Sequence, residues 1–282
     1  MQILTTVRDI RAFSRAQRQD GKTIAFVPTM GALHEGHLSL VRLAERAADV
    51  VIVSIFVNPT QFGPQEDLSR YPRPFARDHK LLEAEGVDAL FFPSVEEMYP
   101  AGAKTFVSVE GLSERLDGSS RPGHFRGVAT IIAKFFHAME PDIAIFGQKD
   151  AAQHAVIRRM VRDLGIAVDV RIGPIVREAD GLALSSRNVY LDSEQRQQAL
   201  VLHRALTRAR QLAKGGIKQS VGLIAAAHQE FASEPAARVD YVAIVDPEEL
   251  APVADVTRGA LIAVAAWIGS TRLIDNIVLD AE

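Results

Sequence analysis

The sequence predicts an α/β fold whose parallel sheet carries helices on both faces, followed by a smaller α+β domain. Two patterns predict the sheet: short, β-branched apolar runs alternate with helical stripes in the first half, and those runs are apolar on both faces. A third pattern predicts the second domain, because the alternation stops near Arg177 and turn-rich connections follow. We expect the domains to cover residues 1–176 and 177–282.

The first half alternates between the two periodicities in chain order. Apolar runs predict strands over residues 24–28, 50–57, 89–92, 143–146 and 167–172. Apolar residues at helical spacing predict helices over residues 40–47, 128–139 and 156–164, and a polar helix is expected over residues 75–85. The last three of these in chain order are followed closely by glycine or proline. The arrangement is Rossmann-like, and such sheets bind ligands beyond the carboxyl ends of their strands. The loops after Val27, Val57 and Phe146 are therefore the places where a site is expected.

The second half predicts two helices and a small sheet. Ser193 is expected to cap one long helix that ends at Gly215, and a second helix is expected over residues 221–231. Apolar segments over residues 239–245, 260–268 and 272–279 have short connections, which favour antiparallel pairing. These elements together are typical of a small α+β domain.

The bulk composition excludes several classes of function. The net charge of the 282 residues is −3, which gives no electrostatic reason to bind nucleic acid or an anionic membrane. The absence of cysteine excludes disulfides, thiolate metal sites and a cysteine nucleophile. The first residues lack the apolar core of a signal peptide, and no apolar run reaches the roughly 18 residues of a membrane span. A soluble, cytoplasmic protein is expected.

The first candidate site is the loop Pro28-Thr-Met-Gly-Ala-Leu-His-Glu-Gly-His37, which joins a buried strand to a helix. A helix N-terminus presents unpaired N–H groups that suit phosphate. His34 and His37 are three residues apart, so both rings can project from one side of the first turn and stabilise charge on a phosphate. The alternative is a plain turn at Gly31 and Gly36 with exposed histidines. A zinc protease is excluded, because its motif separates the two histidines by four residues.

Three further polar loops follow predicted strands or the predicted domain junction. Gln61 is a donor and acceptor suited to a small polar ligand, although an Asn-Pro turn explains the same segment. Lys149 suits a phosphate oxygen, whereas Asp150 and Gln153 either contact a ligand or cap the helix that begins there. In the fourth loop, the hydroxyls of Ser185 and Ser186 and the guanidinium of Arg187 can hold phosphate oxygens.

These loops resemble those of the pantothenate synthetase family, which belongs to the nucleotidyltransferases that share an HxGH loop. The matching segments also include Arg-Pro-Gly-His-Phe-Arg-Gly-Val at residues 121–128 and Thr-Arg-Leu-Ile-Asp-Asn at residues 271–276. They occur in the family's order and span nearly the whole chain. The HxGH loop alone identifies only the broader group, whereas the combination is specific.

The resemblance implies that ATP and Mg²⁺ adenylate pantoate with release of pyrophosphate, and that β-alanine then displaces AMP. It implies catalytic roles for His34, His37, Lys149, Ser185 and Arg187. It further implies that ATP contacts Met30, Gly147, Asp150, Val176, Leu184 and Ser186, and that pantoate contacts Gln61 and Gln153. Asp78 is a possible magnesium ligand by position, with an exposed helix carboxylate as the alternative. The family also implies a homodimer, and a second domain that closes over the active site.

Two other functions stay open from the residues alone. A nucleotidylyltransferase shares the HxGH loop but passes AMP or CMP to a phosphate-bearing acceptor, and it has no need of Gln61 with Gln153. A nucleotide-binding sensor keeps the fold without turnover, but retention of both histidines, Lys149 and Arg187 argues against it. The composition of residues 111–124 allows either an ordered wall or a mobile lid.

Overall fold

The computed structural model describes residues 1–64 and 66–281 and divides into two compact units. The first unit comprises Met1–Gly147 and Val156–Pro174. The second comprises Gln148–Ala155 and Ile175–Glu282. The chain therefore passes from the first unit to the second directly after Gly147, and again after Pro174.

The first unit is built on a parallel sheet of six strands, which confirms the predicted fold class. The strands are β1 Gln2–Leu4, β2 Ile24–Thr29, β3 Val50–Ile55, β4 Ala89–Phe91, β5 Ile143–Gly147 and β6 Asp169–Gly173. Their order is β1-β4-β3-β2-β5-β6, and every pairing is parallel. The short β1 was not predicted, because three partly exposed residues give no apolar run. Strand β3 ends at Ile55, two residues before the predicted limit.

Helices cover both faces of this sheet, as the apolar strands predicted. The helices that connect these strands are α1 Val7–Gln19, α2 Glu35–Glu45, α3 Phe75–Ala84, α4 Val95–Met98, α5 Asp117–Ser120, α6 His124–Met139 and α7 Ala151–Asp163, whose first five residues belong to the second unit. On one face of β2, Ala25 and Val27 pack in a core with Val41 of α2. On the other face, the ring of Phe26 meets the ring of Phe135 in α6 edge-on at 5.5 Å. Strand β2 is therefore buried on both sides.

The strand order places a topological switch point between β2 and β5. From β2 the chain moves outward through β3 to β4, and it then returns to pair β5 with the other side of β2. In an open α/β sheet, a crevice forms at the carboxyl ends of the two strands where the order reverses. Strands β2 and β5 end at Thr29 and Gly147, so a ligand site is expected at the loops that follow these residues.

The second unit pairs three strands with three helices of its own. It contains α8 Ser193–Gln198, α9 Leu200–Lys214, α10 Ser220–Ala232 and strands β7 Ala237–Val245, β8 Arg258–Ile268 and β9 Thr271–Ala281. The sheet is antiparallel in the order β7-β8-β9, as predicted from the three apolar segments. Its core joins Leu202 and Leu206 of α9 to Ile262 and Val264 of β8.

The single long helix predicted from Ser193 is wrong in two respects. The cap is Asp192, whose carboxylate accepts the N–H of Gln195 at 2.8 Å, while the Gln195 side chain accepts the Asp192 N–H at 3.3 Å. This reciprocal capping box makes Ser193 the first helical residue. The helix then stops at Gln198, and Ala199 separates α8 from α9. In the described part of the chain, no helix is both long and apolar enough to cross a membrane.

Candidate functional site

The loop between β2 and α2 has a tightly specified backbone. Gly31 and Ala32 both have positive φ angles, of 81° and 52°. Because a non-glycine residue rarely adopts this left-handed region, Ala32 needs support from its surroundings. Part of that support comes from Thr29, whose hydroxyl accepts the Gly31 N–H at 3.1 Å and donates to the Ser54 carbonyl at 2.7 Å. The loop therefore reaches α2 in one defined conformation.

Asp78 supplies the rest of the support from the first turn of α3. One carboxylate oxygen accepts the Ala32 N–H at 2.6 Å, and the other accepts the Leu33 N–H at 3.0 Å. The residue is only 1% exposed, so the exposed carboxylate considered from the sequence is wrong. Burial raises the pKa of Asp78, and the hydrogen bonds from Leu33 and Ala32 oppose this rise. Asp78 thus holds the two residues that precede His34.

The two histidines are oriented by the backbone at the start of α2. His34 is the N-cap residue, and its Nδ1 accepts the Gly36 N–H at 3.2 Å. The Nδ1 atom of His37 accepts the His34 N–H at 3.3 Å, which completes a capping box. The ring centroids lie 4.1 Å apart. Since Nδ1 is the acceptor in each neutral ring, Nε2 carries the proton and is the donor.

This arrangement suits an anion. The N-terminus of α2 carries a partial positive charge from the helix dipole, and two imidazole N–H donors are attached to the same turn. The donors are preorganised, because the capping bonds fix both the tautomer and the orientation of the rings. The loop can therefore stabilise negative charge that develops on a bound phosphate.

Gln61 lies beyond β3, at the end of the 3-10 helix Pro59–Gln61, and is 9% exposed. Its Oε1 accepts the Asn58 Nδ2–H at 3.0 Å, and its Nε2 lies 3.1 Å from the sulfur of Met30. Asn58 is itself fixed by the Gly127 carbonyl at 3.1 Å and by the Tyr99 hydroxyl at 2.9 Å. The structure thus brings together two residues predicted for different ligands, Gln61 and Met30.

A second layer of polar residues fixes the backbone of Gln61. The carbonyl of Gln61 accepts from Nδ1 of His124 at 2.8 Å and from the Arg121 guanidinium at 3.3 Å. Arg121 also forms a two-point ion pair with Glu66, at 2.8 and 2.6 Å. Because the carbonyl can only accept, His124 carries its proton on Nδ1, and its Nε2 faces Arg121 at 3.1 Å. Burial, and then the charge of Arg121, lower the pKa of His124 to about 4, so the ring is neutral.

The second unit groups other predicted phosphate ligands around a small cavity. Lys149 and Ser185 line this cavity together with Asn188 and Asp275. Ser185 caps the 3-10 helix Ser186–Tyr190, since its hydroxyl accepts the Arg187 N–H at 3.2 Å. The hydroxyl proton of Ser185 is therefore available to a ligand oxygen. Within this unit, the lysine and serine expected at the triphosphate lie on one surface.

The remaining predicted residues have the following positions. Val176 and Leu184 meet through a backbone hydrogen bond of 3.0 Å from the Leu184 N–H to the Val176 carbonyl. Gln153 is half-buried in the first turn of α7 in the second unit, whereas Gln61 belongs to the first unit. Gly147 ends β5 in the first unit, and Asp150, Ser186 and Arg187 belong to the second. The joint use of Gln61 and Gln153 stays a prediction.

Asp78 does not fit a magnesium site in this geometry. Both of its oxygens already accept backbone N–H groups, and the side chain is buried. Among residues 1–64 and 66–281, no three His, Cys, Asp or Glu side chains are grouped so that they could hold a metal ion. Mg²⁺ binds one or two carboxylates and substrate phosphates, and it keeps several waters, so a protein cage is not required. Asp78 therefore supports the loop and is not a ligand of Mg²⁺ in this geometry.

Sequence reasoning missed the residues that act through others. Asn58, Tyr99, Arg121 and His124 all contribute to the placement of Gln61. The segment over residues 121–128 signalled Arg121 and His124 as part of a motif, but nothing local indicated which atom they contact. Their partners lie about sixty residues away in the chain, at separations of 60 and 63.

Comparison with known proteins identifies the family of this chain. The family model for pantoate-β-alanine ligase matches residues 2–278. Pantothenate synthetase of Koribacter versatilis (strain Ellin345) is 59% identical over 281 residues, covering 100% of this chain and 97% of that protein. The crystal structure of pantothenate synthetase from Thermus thermophilus has a TM-score of 0.93 at 49% identity, covering 98% of this chain and 99% of that one. Pantoate-β-alanine ligase from Francisella tularensis, complexed with β-γ ATP and β-alanine, has a TM-score of 0.81 at 32% identity, covering 99% and 97%. The chain belongs to the pantoate-β-alanine ligase family.

Proposed function

We propose that this protein condenses pantoate with β-alanine in an ATP-dependent reaction that passes through pantoyl adenylate and yields pantothenate, AMP and pyrophosphate. The observation that carries the proposal is the pair of imidazoles locked as Nε2–H donors at the N-terminus of α2. They lie at the switch point of the sheet, where this fold binds nucleotides. Family membership and the ATP- and β-alanine-bound relative support the same reaction.

In the first step, a carboxylate oxygen of pantoate attacks the α-phosphorus of ATP. A new P–O bond forms, the bond from the α-phosphorus to the bridging oxygen breaks, and pyrophosphate leaves with that electron pair. His34 and His37 donate to oxygens of the phosphate under attack, where charge builds up. The triphosphate is held by Lys149, Ser185, Ser186 and Arg187. The other residues that contact ATP are Met30, Gly147, Asp150, Val176 and Leu184. Gln61 and Gln153 orient pantoate.

In the second step, the neutral amine of β-alanine attacks the acyl carbon of the adenylate. The C–N bond forms, the bond from the acyl carbon to the phosphate oxygen breaks, and AMP leaves. The amine loses a proton, which passes to solvent or to the departing phosphate. The protein contributes position and charge stabilisation in both steps, and no covalent link to the chain is needed.

Magnesium enters this scheme as part of the substrate, the MgATP chelate. Residues 1–176 are proposed to bind ATP and pantoate, with residues 177–282 completing the site. A homodimer and a cytoplasmic location are further predictions from the family. The dimer predicts a solution mass of twice 30.8 kDa, which sedimentation would measure.

The test measures pyrophosphate and AMP released from MgATP and pantoate, with and without β-alanine. We expect about one pyrophosphate per site without β-alanine, and catalytic turnover to AMP and pantothenate when it is added. His34→Ala should suppress both signals while the fold is retained. Pyrophosphate release that instead requires a phosphorylated acceptor would favour a nucleotidylyltransferase. ATP binding without release of pyrophosphate or AMP, whichever acid or amine is added, would favour a nucleotide-binding sensor.

A further inference from the structure

The last strand, β9, carries the Asp-Asn pair of the motif at residues 271–276, for which the proposed mechanism has no use. Asn276 is 2% exposed and lies against the 3-10 helix Gln148–Asp150. Its Nδ2 donates to the Gln148 carbonyl at 3.0 Å and to the Lys149 carbonyl at 2.9 Å. Its Oδ1 accepts from the Gln148 side chain at 2.9 Å. A single side chain thus contacts the segment that presents Lys149 at three points.

These contacts require a carboxamide. Nδ2 of Asn276 donates to two carbonyl oxygens, and the amide oxygen accepts from the Gln148 side chain. An aspartate of the same shape would have no donor for the two carbonyls, and an aliphatic side chain would offer neither a donor nor an acceptor. The 3-10 helix has only three residues, so it has little internal hydrogen bonding to keep its shape. Asn276 supplies the missing constraint.

Asp275 fixes Asn276 from the other side. Its carboxylate is 3% exposed and forms a two-point ion pair with Arg177, at 2.6 and 2.8 Å. One of its oxygens also accepts the Asn276 N–H at 2.7 Å. Arg177 donates in turn to the Gly181 carbonyl at 3.0 Å. Asp275 shares the lining of the small cavity with Lys149 and Ser185, so this network underlies the cavity.

We propose that Asn276 is a positioning residue for adenylation, which holds the backbone of Lys149 so that its ammonium group meets the triphosphate of ATP. Asp275, which is paired with Arg177, accepts the backbone N–H of Asn276 and so helps to hold that residue beside Gln148 and Lys149. This role rests on the proposed ligase function, because it assigns Lys149 to ATP. Asn276 itself need not touch the substrate, and its effect is transmitted through Lys149.

The main test is Asn276→Asp, which replaces the side-chain NH₂ group by an oxygen and so removes both N–H donors. We expect kcat/KM for ATP in the pyrophosphate assay to fall about 10- to 100-fold, the scale of a misplaced catalytic group. The matched control is Asp240→Asn. Asp240 of β7 pairs at 2.7 and 2.9 Å with Arg272, which lies in β9 like Asn276, and it does not contact residues 148–150 in any described hydrogen bond. The control should keep kcat/KM within about twofold, even where it lowers the melting temperature. Asn276→Ala serves as the second variant, because it removes the same donors without a buried charge.

A double-mutant cycle separates positioning from general packing. If Asn276 acts through Lys149, then Asn276→Asp should add less than about threefold to the loss already caused by Lys149→Ala. Hydrogen exchange should also be faster in residues 148–152 of Asn276→Asp, and unchanged there in Asp240→Asn. These results would support the role.

Other results would overturn it. If Asn276→Asp and Asn276→Ala both fold and keep the wild-type kcat/KM for ATP, the positioning role of Asn276 is refuted, while the proposed ligase function stands. Losses that multiply in the double variant, or an equal loss in Asp240→Asn, would show a purely structural contribution of β9. Wild-type protein without pantoate-dependent pyrophosphate release would instead refute the proposed function, and this role with it.

Discussion

The loop before α2 is held by side chains that accept backbone N–H groups. Asp78 of α3 accepts the N–H groups of Ala32 and Leu33, and the ring of His34, which follows Leu33, caps α2. A buried carboxylate that accepts two N–H groups is costly to replace, because each N–H would lose its partner. The conformation of the loop and the orientation of both imidazoles therefore depend on an acid 44 residues beyond His34 in the chain.

Replacement of Asp78 by asparagine tests this dependence. The amide retains one acceptor but places N–H groups opposite the second backbone N–H, so Ala32 or Leu33 loses its partner. We expect pyrophosphate release to slow about 10- to 100-fold through displaced histidines. The Mg²⁺ concentration for half-maximal rate should stay unchanged.

Asp49→Asn is the matched control for that variant. Asp49 also accepts a backbone N–H, from Thr23 at 2.9 Å, but it lies just before β3, at the amino end of the sheet. Its replacement should leave pyrophosphate release unchanged. A large increase in the Mg²⁺ requirement of Asp78→Asn, with a normal rate at saturating Mg²⁺, would contradict the loop role and favour magnesium ligation.

The sequence could predict His34 and His37, because their spacing and their helix are local. It could not predict the use of Asp78, because the partners of that carboxylate are backbone N–H groups, which every residue carries. The same holds for Asn276, whose acceptors are the carbonyls of Gln148 and Lys149. Sequence motifs can include positioning residues such as Arg121, His124 and Asn276, but the atoms that these side chains contact are found only once the chain is folded.

At the scale of elements, the placement of Gln61 depends on how closely α6 approaches the 3-10 helix Pro59–Gln61. A Cβ added to Gly127 would lie 2.3 Å from the Thr60 carbonyl oxygen and 2.7 Å from the Gln61 nitrogen. Real Cβ atoms do not approach backbone this closely, so only glycine allows the two elements to touch. The Asn58 bond to the Gly127 carbonyl spans the same contact.

Gly127→Ala should therefore displace Gln61 and weaken the use of pantoate. We expect the KM for pantoate to rise about tenfold or more, with a loss of roughly 1–3 kcal/mol in the free energy of unfolding from overpacking. Gly222→Ala is the control, because Gly222 also lies in a helix and its added Cβ meets only a side-chain methyl of Ile217 at 3.4 Å. The control should be neutral or slightly stabilising. An unchanged KM for pantoate in folded Gly127→Ala would contradict this account of Gln61.

Elements were more predictable than their contacts. The prediction lacks only β1 of the six strands, because the other five overlap apolar runs in the sequence. The break between α8 and α9 was missed, since no glycine or proline marks it and Ala199 is a good helix former. The contact at Gly127 was also missed, because a glycine in a helical stripe gives no sign of what lies opposite it.

For the whole molecule, acid sensitivity follows from two histidines with lowered pKa values, one in each unit. Burial lowers the pKa of His124 in the first unit to about 4, and burial also lowers the pKa of His203 in the second. When folding lowers the pKa of a histidine, the unfolded chain binds the proton at a higher pH than the folded protein does, so stability falls as the pH drops below about 6.5. Both units should therefore lose stability in mildly acidic solution.

The contribution of His124 can be isolated with His124→Asn, whose Nδ2 can still donate to the Gln61 carbonyl. In the wild type, the unfolded chain binds the proton below pH 6.5 and the folded protein only near pH 4, so stability is complete above pH 6.5 and is lost as the pH falls through this window. The expected loss from this residue between pH 7 and pH 5 is about 2 kcal/mol. Burial opposes ionisation of Glu66, but Arg121 outweighs it and the net pKa of Glu66 is lowered, so that ion pair persists at pH 5. Urea unfolding at the two pH values should show a smaller difference for His124→Asn than for the wild type, and equal differences would exclude His124 as a source of the acid sensitivity.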